Sequence, residues 1–311
     1  MFSRANVLFA LFLSLLFFTG CKMRSPEGDR RVVDDLGNQV TIKGQVERIV
    51  SLVPTNSEMV CLLDCARLKG GTRYDRFPPE LVRRIRERQV EIIGGGFDAS
   101  LEKIVQIAPD LILANGPSQQ RVVTSLKRLG YSVLRIWPQD LESLKRDFLV
   151  LGEILDREVK AKEILKEVER GFAAIQIKTK RKRRKTVYLQ MWSDPMITVG
   201  KKSFPHWLLS AAGGINIFED LAFDSGQVGL EWILGRDPEV LIFLTGQEAF
   251  VKRAVTRTEW KSIRAVQNGH ICFVDAADIR RGVRFLDGLV KLHRCLFGTA
   301  QAGQGDPRGK P

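Results

Sequence analysis

Arg48-Ile-Val-Ser-Leu-Val-Pro-Thr-Asn-Ser-Glu58 is the stretch that decides the fold class. The run Ile49 to Leu52 is apolar apart from one serine, as in a strand buried on both faces. Pro54 suits the first turn of a helix, where its missing N–H is not needed, and a helical pattern continues to about Ala66. Working outward, apolar runs near Glu91–Ile93, Leu111–Ala114 and Ser132–Ile136 alternate with helix-like stretches, which predicts a mainly parallel α/β sheet over residues 31–137. From Asp140 to about Phe172 no proline intervenes and the apolar residues keep mostly helical spacing, so residues 138–177 read as one long helix.

The second half echoes the first. Leu101-Glu102, Ile104, Pro109-Asp110 and Leu113 recur as Leu230-Glu231, Ile233, Pro238-Glu239 and Ile242, all at an offset of 129. Each copy reads as a short helix, a Pro-acid turn and a buried strand. Residues 186–299 are therefore expected to form a second α/β lobe. The predicted architecture is two Rossmann-like α/β lobes joined by one long rigid helix, with a ligand cleft between the lobes. The cleft loops are expected after Leu52, Lys69, Ile93, Ala114, Ile136, Leu189, Leu244 and Val274.

The 311 residues are 44% hydrophobic and 27% charged with a net charge of +13, a composition that supports a buried core and excludes a polytopic membrane protein. Val7 to Phe18 is an apolar run behind Arg4, too short to cross ~30 Å of hydrocarbon and built like an export signal. Cys21 after Gly20 resembles the lipobox of bacterial lipoproteins, although Phe18 stands where leucine is usual. This predicts a signal peptide over 1–20, lipidation of Cys21, a tether over 21–30 and export to a bacterial membrane surface. Residues 300–311 read as a disordered tail. Lys178 to Lys185 holds seven basic residues in eight and reads as a solvated connector. An exported chain does not meet nucleic acid, so the positive excess points to anionic ligands or headgroups.

Cys61, Cys65, Cys272 and Cys295 lack zinc-site spacing and read as buried small side chains, with a Cys272–Cys295 bridge as the pairing an oxidising compartment would permit. No nucleophile elbow, phosphate loop or H-E-x-x-H pair occurs, so no enzyme is expected. A surface lipoprotein with an adhesive or structural role is the other non-enzymatic class.

A set of motifs spanning both halves then acquires meaning together. Asp35-Leu-Gly37-Asn-Gln-Val40, the Arg48–Glu58 stretch, Ile92-Ile-Gly-Gly-Gly-Phe-Asp-Ala-Ser-Leu-Glu-Lys-Ile104, Pro109-Asp-Leu-Ile-Leu113 and Ala212-Gly-Gly-Ile-Asn-Ile-Phe218 resemble the binding proteins of ABC importers for vitamin B12, haem and ferric siderophores. The resemblance runs from about residue 32 to 298. It implies a monomer that captures a metal chelate in the cleft, binds no covalent cofactor, and delivers its ligand to a permease–ATPase complex. It also implies that Glu102 and Glu231, one on each lobe, dock onto permease arginines. Paired acids on a basic protein suit that role, as they also suit the first turn of a helix.

For the cleft itself, Pro54 and Thr55 would place a helix N-terminus at the ligand. Tyr74, Phe97, Trp137, Trp192 and Phe204 offer aromatic faces, Asn115, Ser225 and Gln227 polar contacts, and Arg73, Arg76, Arg280, Arg281 and Arg284 guanidinium groups for anionic rim atoms. B12 binders resembling this chain carry an aromatic just before the second docking glutamate, whereas Phe223 here is displaced from that place. The arginines favour a ferric siderophore or another anionic chelate, with cobalamin second. Haem would need Tyr74, His206, Met191 or Met196 as axial ligand.

Overall fold

The computed structural model describes residues 28–298, so the signal segment, Cys21 and the 300–311 tail lie outside the described residues. The first lobe comprises β1 (Arg30–Val33), β2 (Gln39–Ile42), β3 (Ile49–Ser51), α1 (Pro54–Asp64), β4 (Leu68–Gly71), α2 (Pro79–Arg86), β5 (Glu91–Ile92), α3 (Leu101–Ile107), β6 (Leu111–Ala114), α4 (Gln120–Arg128) and β7 (Val133–Arg135). Its five-stranded sheet runs β5-β4-β3-β6-β7 and every pairing is parallel. The central strands β3 and β6 are buried along their whole length, which is why they carry unbroken apolar runs. The strand order reverses between β3 and β6, and the crevice beyond their C-terminal ends is where open α/β sheets receive ligands. β1 and β2 form a separate antiparallel hairpin. Arg30, assigned to the tether in the sequence reading, instead opens β1 and donates to the carbonyls of Glu153 and Ile154.

The long helix predicted across 138–177 is two helices, α5 (Leu141–Ile154) and α6 (Glu158–Thr179). The break needs neither proline nor glycine: Asp156 takes a left-handed conformation (φ 55°), one that aspartate tolerates better than most residues. α5 packs on α6 within the first lobe, capped at its start by a reciprocal Asp140–Ser143 box. α6, at 22 residues, is the element that passes between the lobes. It is clamped at both ends by close approach. A Cβ on Gly152 of α5 would stand 2.7 Å from the Ala161 Cβ, and one on Gly171 of α6 would meet Leu286 at 2.8 Å. Ala161, Leu165, Val168 and Ile175 of α6 belong to one buried cluster that runs from the inner face of the first lobe to that of the second. Shared packing of this kind ties the lobes together stiffly.

The basic run Lys178–Lys185 begins inside α6 and ends in the first strand of the second lobe. Its exposed residues are partly tethered: Arg183 pairs with Glu239, holding that carboxyl down at about 2, and Arg184 donates to the Gly214 carbonyl. The second lobe comprises β8 (Lys185–Ser193), β9 (Met196–Val199), α7 (Phe204–Ala211), β10 (Gly214–Asn216), β11 (Ser225–Gln227), α8 (Leu230–Arg236), β12 (Val240–Leu244), α9 (Glu248–Ala254), α10 (Thr258–Lys261), α11 (Arg264–Gln267), β13 (Ile271–Val274) and α12 (Phe285–Phe297). Its sheet is mixed, in the order β11-β9-β8-β12-β13, with β10 pairing the start of β8. The strand expected to end at Leu189 continues to Ser193 and turns back antiparallel as β9, so a hairpin replaces the expected loop.

The repeat at an offset of 129 is structural. α3 and α8 are both seven residues long, and each ends on a left-handed residue, Ala108 (φ 48°) and Asp237 (φ 38°), before the Pro-acid turn into β6 or β12. The cysteines differ from expectation. Cys61 and Cys65 are joined by a disulfide, while Cys272 and Cys295 are free thiols hydrogen-bonded to each other.

Candidate functional site

The loops at the C-terminal ends of the two sheets meet. Thr55, in the first turn of α1, lies against Gly282 of the segment between β13 and α12; a Cβ there would stand 3.3 Å from the Thr55 methyl. The α1 N-terminus has no side-chain cap, so none of its first N–H groups is bonded to a capping side chain. Trp137, following β7, is half-buried and covered by Arg281, whose guanidinium sits 3.5 Å from the ring centroid. Arg281 Nε also donates to the Pro138 carbonyl at 3.1 Å, and its Nη2 pairs with Asp224.

Beside this contact the second lobe forms a cavity of about 390 Å³. It is lined by Met191, Trp192, Pro195 and Ile197 of the β8–β9 hairpin together with Val199, Ser203, Pro205, Asp224, Ser225 and Arg281. An apolar lining with a few polar groups is the usual composition of a small-molecule site. The Trp192 indole N–H donates to the Asp194 carbonyl, which leaves its 60% exposed ring face to the cavity mouth.

Glu58, one turn along α1 from Thr55, was not singled out in the sequence. It is 6% exposed, and burial pushes its carboxyl up to about 7, partly offset by Arg284 and Arg280 of the opposing lobe. Asp75 lies in the same group. It is 4% exposed and bonded to Thr72, and burial raises its pKa against the pull of Ser57, Thr72 and Arg280. Arg284 stacks over Phe77 at 4.3 Å and lies within ion-pair distance of Asp278 (3.7 Å) and Asp287 (3.6 Å). The lobes therefore touch through acids on one side and arginines on the other.

Of the residues expected at the cleft, Thr55, Trp137, Trp192, Ser225, Arg280, Arg281 and Arg284 are brought to the junction or its cavity, and Pro54 opens the helix that ends there. Arg73 and Tyr74 are exposed on the first lobe, with Arg73 paired to Asp98 at 2.5 Å; Arg76 and Phe97, the latter 78% exposed, are likewise on the surface. Asn115 is half-buried, its backbone N–H bonded to Gln119. Gln227 is exposed on β11. Phe204 is a correction: it is fully buried, packed against Trp207 and Phe285, and presents no face to a ligand. His206 is half-buried on α7 near Asn216, and among the described residues no cluster of three metal-ligating side chains occurs. Glu102 and Glu231 are both exposed in the first turns of α3 and α8.

Among known proteins, the periplasmic binding protein family profile matches residues 49–277. An uncharacterised ABC transporter substrate-binding lipoprotein, YvrC, of Bacillus subtilis is 28% identical over 94% of this chain and 97% of its own length. The vitamin B12-binding protein of Salmonella typhi is 29% identical over 63% of this chain and 71% of its own. A solved structure described as a possible iron-binding, periplasmic solute-binding protein from Staphylococcus epidermidis superposes with a TM-score of 0.70 at 26% identity, covering 81% of this chain and 99% of that one. The resemblance read from the sequence is borne out, and these relatives are named as binding proteins. The chain belongs to the periplasmic binding protein family.

Proposed function

We propose that this protein is the solute-binding lipoprotein of an ABC importer, that it captures a metal chelate between its lobes, and that a ferric siderophore or similarly anionic chelate is its ligand. The observation that carries the reading is the second-lobe cavity at the junction, where the exposed Trp192 ring and the Arg281 guanidinium, stacked on Trp137 of the first lobe, line one space. Aromatics cover the flat or apolar part of a chelate, and arginines hold its anionic oxygens. Cobalamin is the second reading, favoured by the B12-binding relative; the cavity in this form is small for a corrin with its nucleotide loop.

Delivery runs through Glu102 and Glu231, which the repeat places at equivalent points of the two lobes. They register the protein on a basic permease surface. Cys21 anchors the exported chain to the membrane through lipid. The test is uptake and binding measured side by side. Glu102→Ala with Glu231→Ala is expected to abolish uptake while the ligand dissociation constant stays unchanged. Loss of affinity in the double variant, or uptake that survives it, contradicts the docking assignment. Cys21→Ala is expected to release the protein from the membrane fraction.

A further inference from the structure

Arg281 has a counter-ion that the sequence did not single out. Its side chain is 14% exposed, and burial lowers its pKa, so a charge of opposite sign nearby is required to hold it there. Asp224 supplies that charge while remaining 41% exposed itself. The two ends of the pair thus differ: the guanidinium depends on the contact, whereas the carboxylate already reaches water.

The backbone around Asp224 is fixed. Its carbonyl accepts from Gly200 N at 3.0 Å, the Phe223 carbonyl accepts from Lys202 N at 3.1 Å, and the next three residues pair with β9. Both Asp224 and Arg281 line the cavity. Stacking on Trp137 leaves the edge of the guanidinium free for an oxyanion, and Asp224 occupies that edge.

We propose that Asp224 is a resident stand-in for the ligand, holding Arg281 in place until an oxyanion of the incoming chelate, a carboxylate or catecholate group, displaces it. Asp224 is then the residue that sets selectivity: an anionic chelate regains the Arg281 pairing that it breaks, and an uncharged one does not. The inference rests on the chelate-binding reading above and is tested partly without it.

The ligand-independent arm is a melting experiment on the purified protein titrated with inorganic phosphate. Asp224→Ala, which leaves the guanidinium unpaired, is expected to melt lower than the wild type in phosphate-free buffer and to recover saturably as phosphate takes the vacant edge. Asp224→Ala combined with Arg281→Ala is expected to show no such recovery. Equal phosphate response in that double variant, or none in Asp224→Ala, overturns the proposal.

The second arm compares affinity for a ferric tris-catecholate and for cyanocobalamin in the wild type and in Asp224→Asn, which keeps the side chain's shape. The catecholate is expected to bind Asp224→Asn roughly tenfold more tightly, by loss of the internal competitor, with cyanocobalamin unchanged. A probe that binds both proteins equally with no preference for the anion sinks the stand-in role and leaves the chelate reading intact. Phosphate rescue without binding of either probe upholds the stand-in and counts against the chelate reading.

Discussion

The two lobes share a repeat and yet do different work at the cleft. Where the repeat holds, from α3 to β6 and from α8 to β12, helix length, left-handed terminus and exposed first-turn glutamate all coincide. Where it lapses, the first lobe keeps a purely parallel sheet and contributes Thr55, Glu58, Asp75 and Trp137, while the second adds the β8–β9 hairpin and β11 and so builds the cavity. Symmetry is kept at the exposed first-turn glutamates and abandoned where the hairpin and β11 build the cavity.

The largest effect that separates core from cleft is expected at Phe204. Truncating this fully buried ring to alanine should cost about 3–5 kcal/mol of stability by chemical denaturation; a small loss would mean that the ring is available to a ligand after all. Next, Gly171→Val forces a side chain into Leu286 at the contact between α6 and the second lobe and should cost about 1–3 kcal/mol. An unchanged melting curve would show that α6 does not clamp that lobe.

The acid–arginine junction gives a pH signature. Glu58 in the folded protein holds its proton up to about 7, whereas in the unfolded chain it ionises near the ordinary glutamate value of about 4.3. Between those values the folded state binds more protons, so this group stabilises the fold at low pH and loses that contribution as pH rises toward 7. The groups facing it are Arg284 and Arg280 across the junction and Asp75 beside it. Glu58→Gln should therefore gain on the wild type in melting temperature between pH 5 and pH 8, and a constant difference would place Glu58 in water. The smallest effect is expected at Phe97, 78% exposed, where alanine should change stability by no more than about 0.5 kcal/mol.

The parallel cores of the two sheets were legible because their central strands are buried along their length and therefore written as continuous apolar runs, as in Leu111–Ala114 and Val240–Phe243. The break between α5 and α6 was not, because Leu155-Asp156-Arg157 contains no proline or glycine and its backbone reversal rests on one aspartate. The β8–β9 hairpin did carry a signal in Asp194-Pro195, a turn dipeptide inside an otherwise apolar stretch. Residues of the site that act across the gap left none. Glu58 looks like an ordinary surface acid until the opposing lobe brings Arg280 and Arg284 against it, and Asp224 does so until the segment after β13 brings Arg281 beside it.

Capture of a metal chelate at the junction is read out by thermal shift of the purified protein against ferric siderophores, cobalamin and haemin. A ligand that binds only the folded state raises the melting temperature saturably. An anionic ferric siderophore is expected to give such a rise, and Trp137→Ala with Arg281→Ala to abolish it. No rise with any member of the panel, or a rise that the double variant leaves intact, would contradict it.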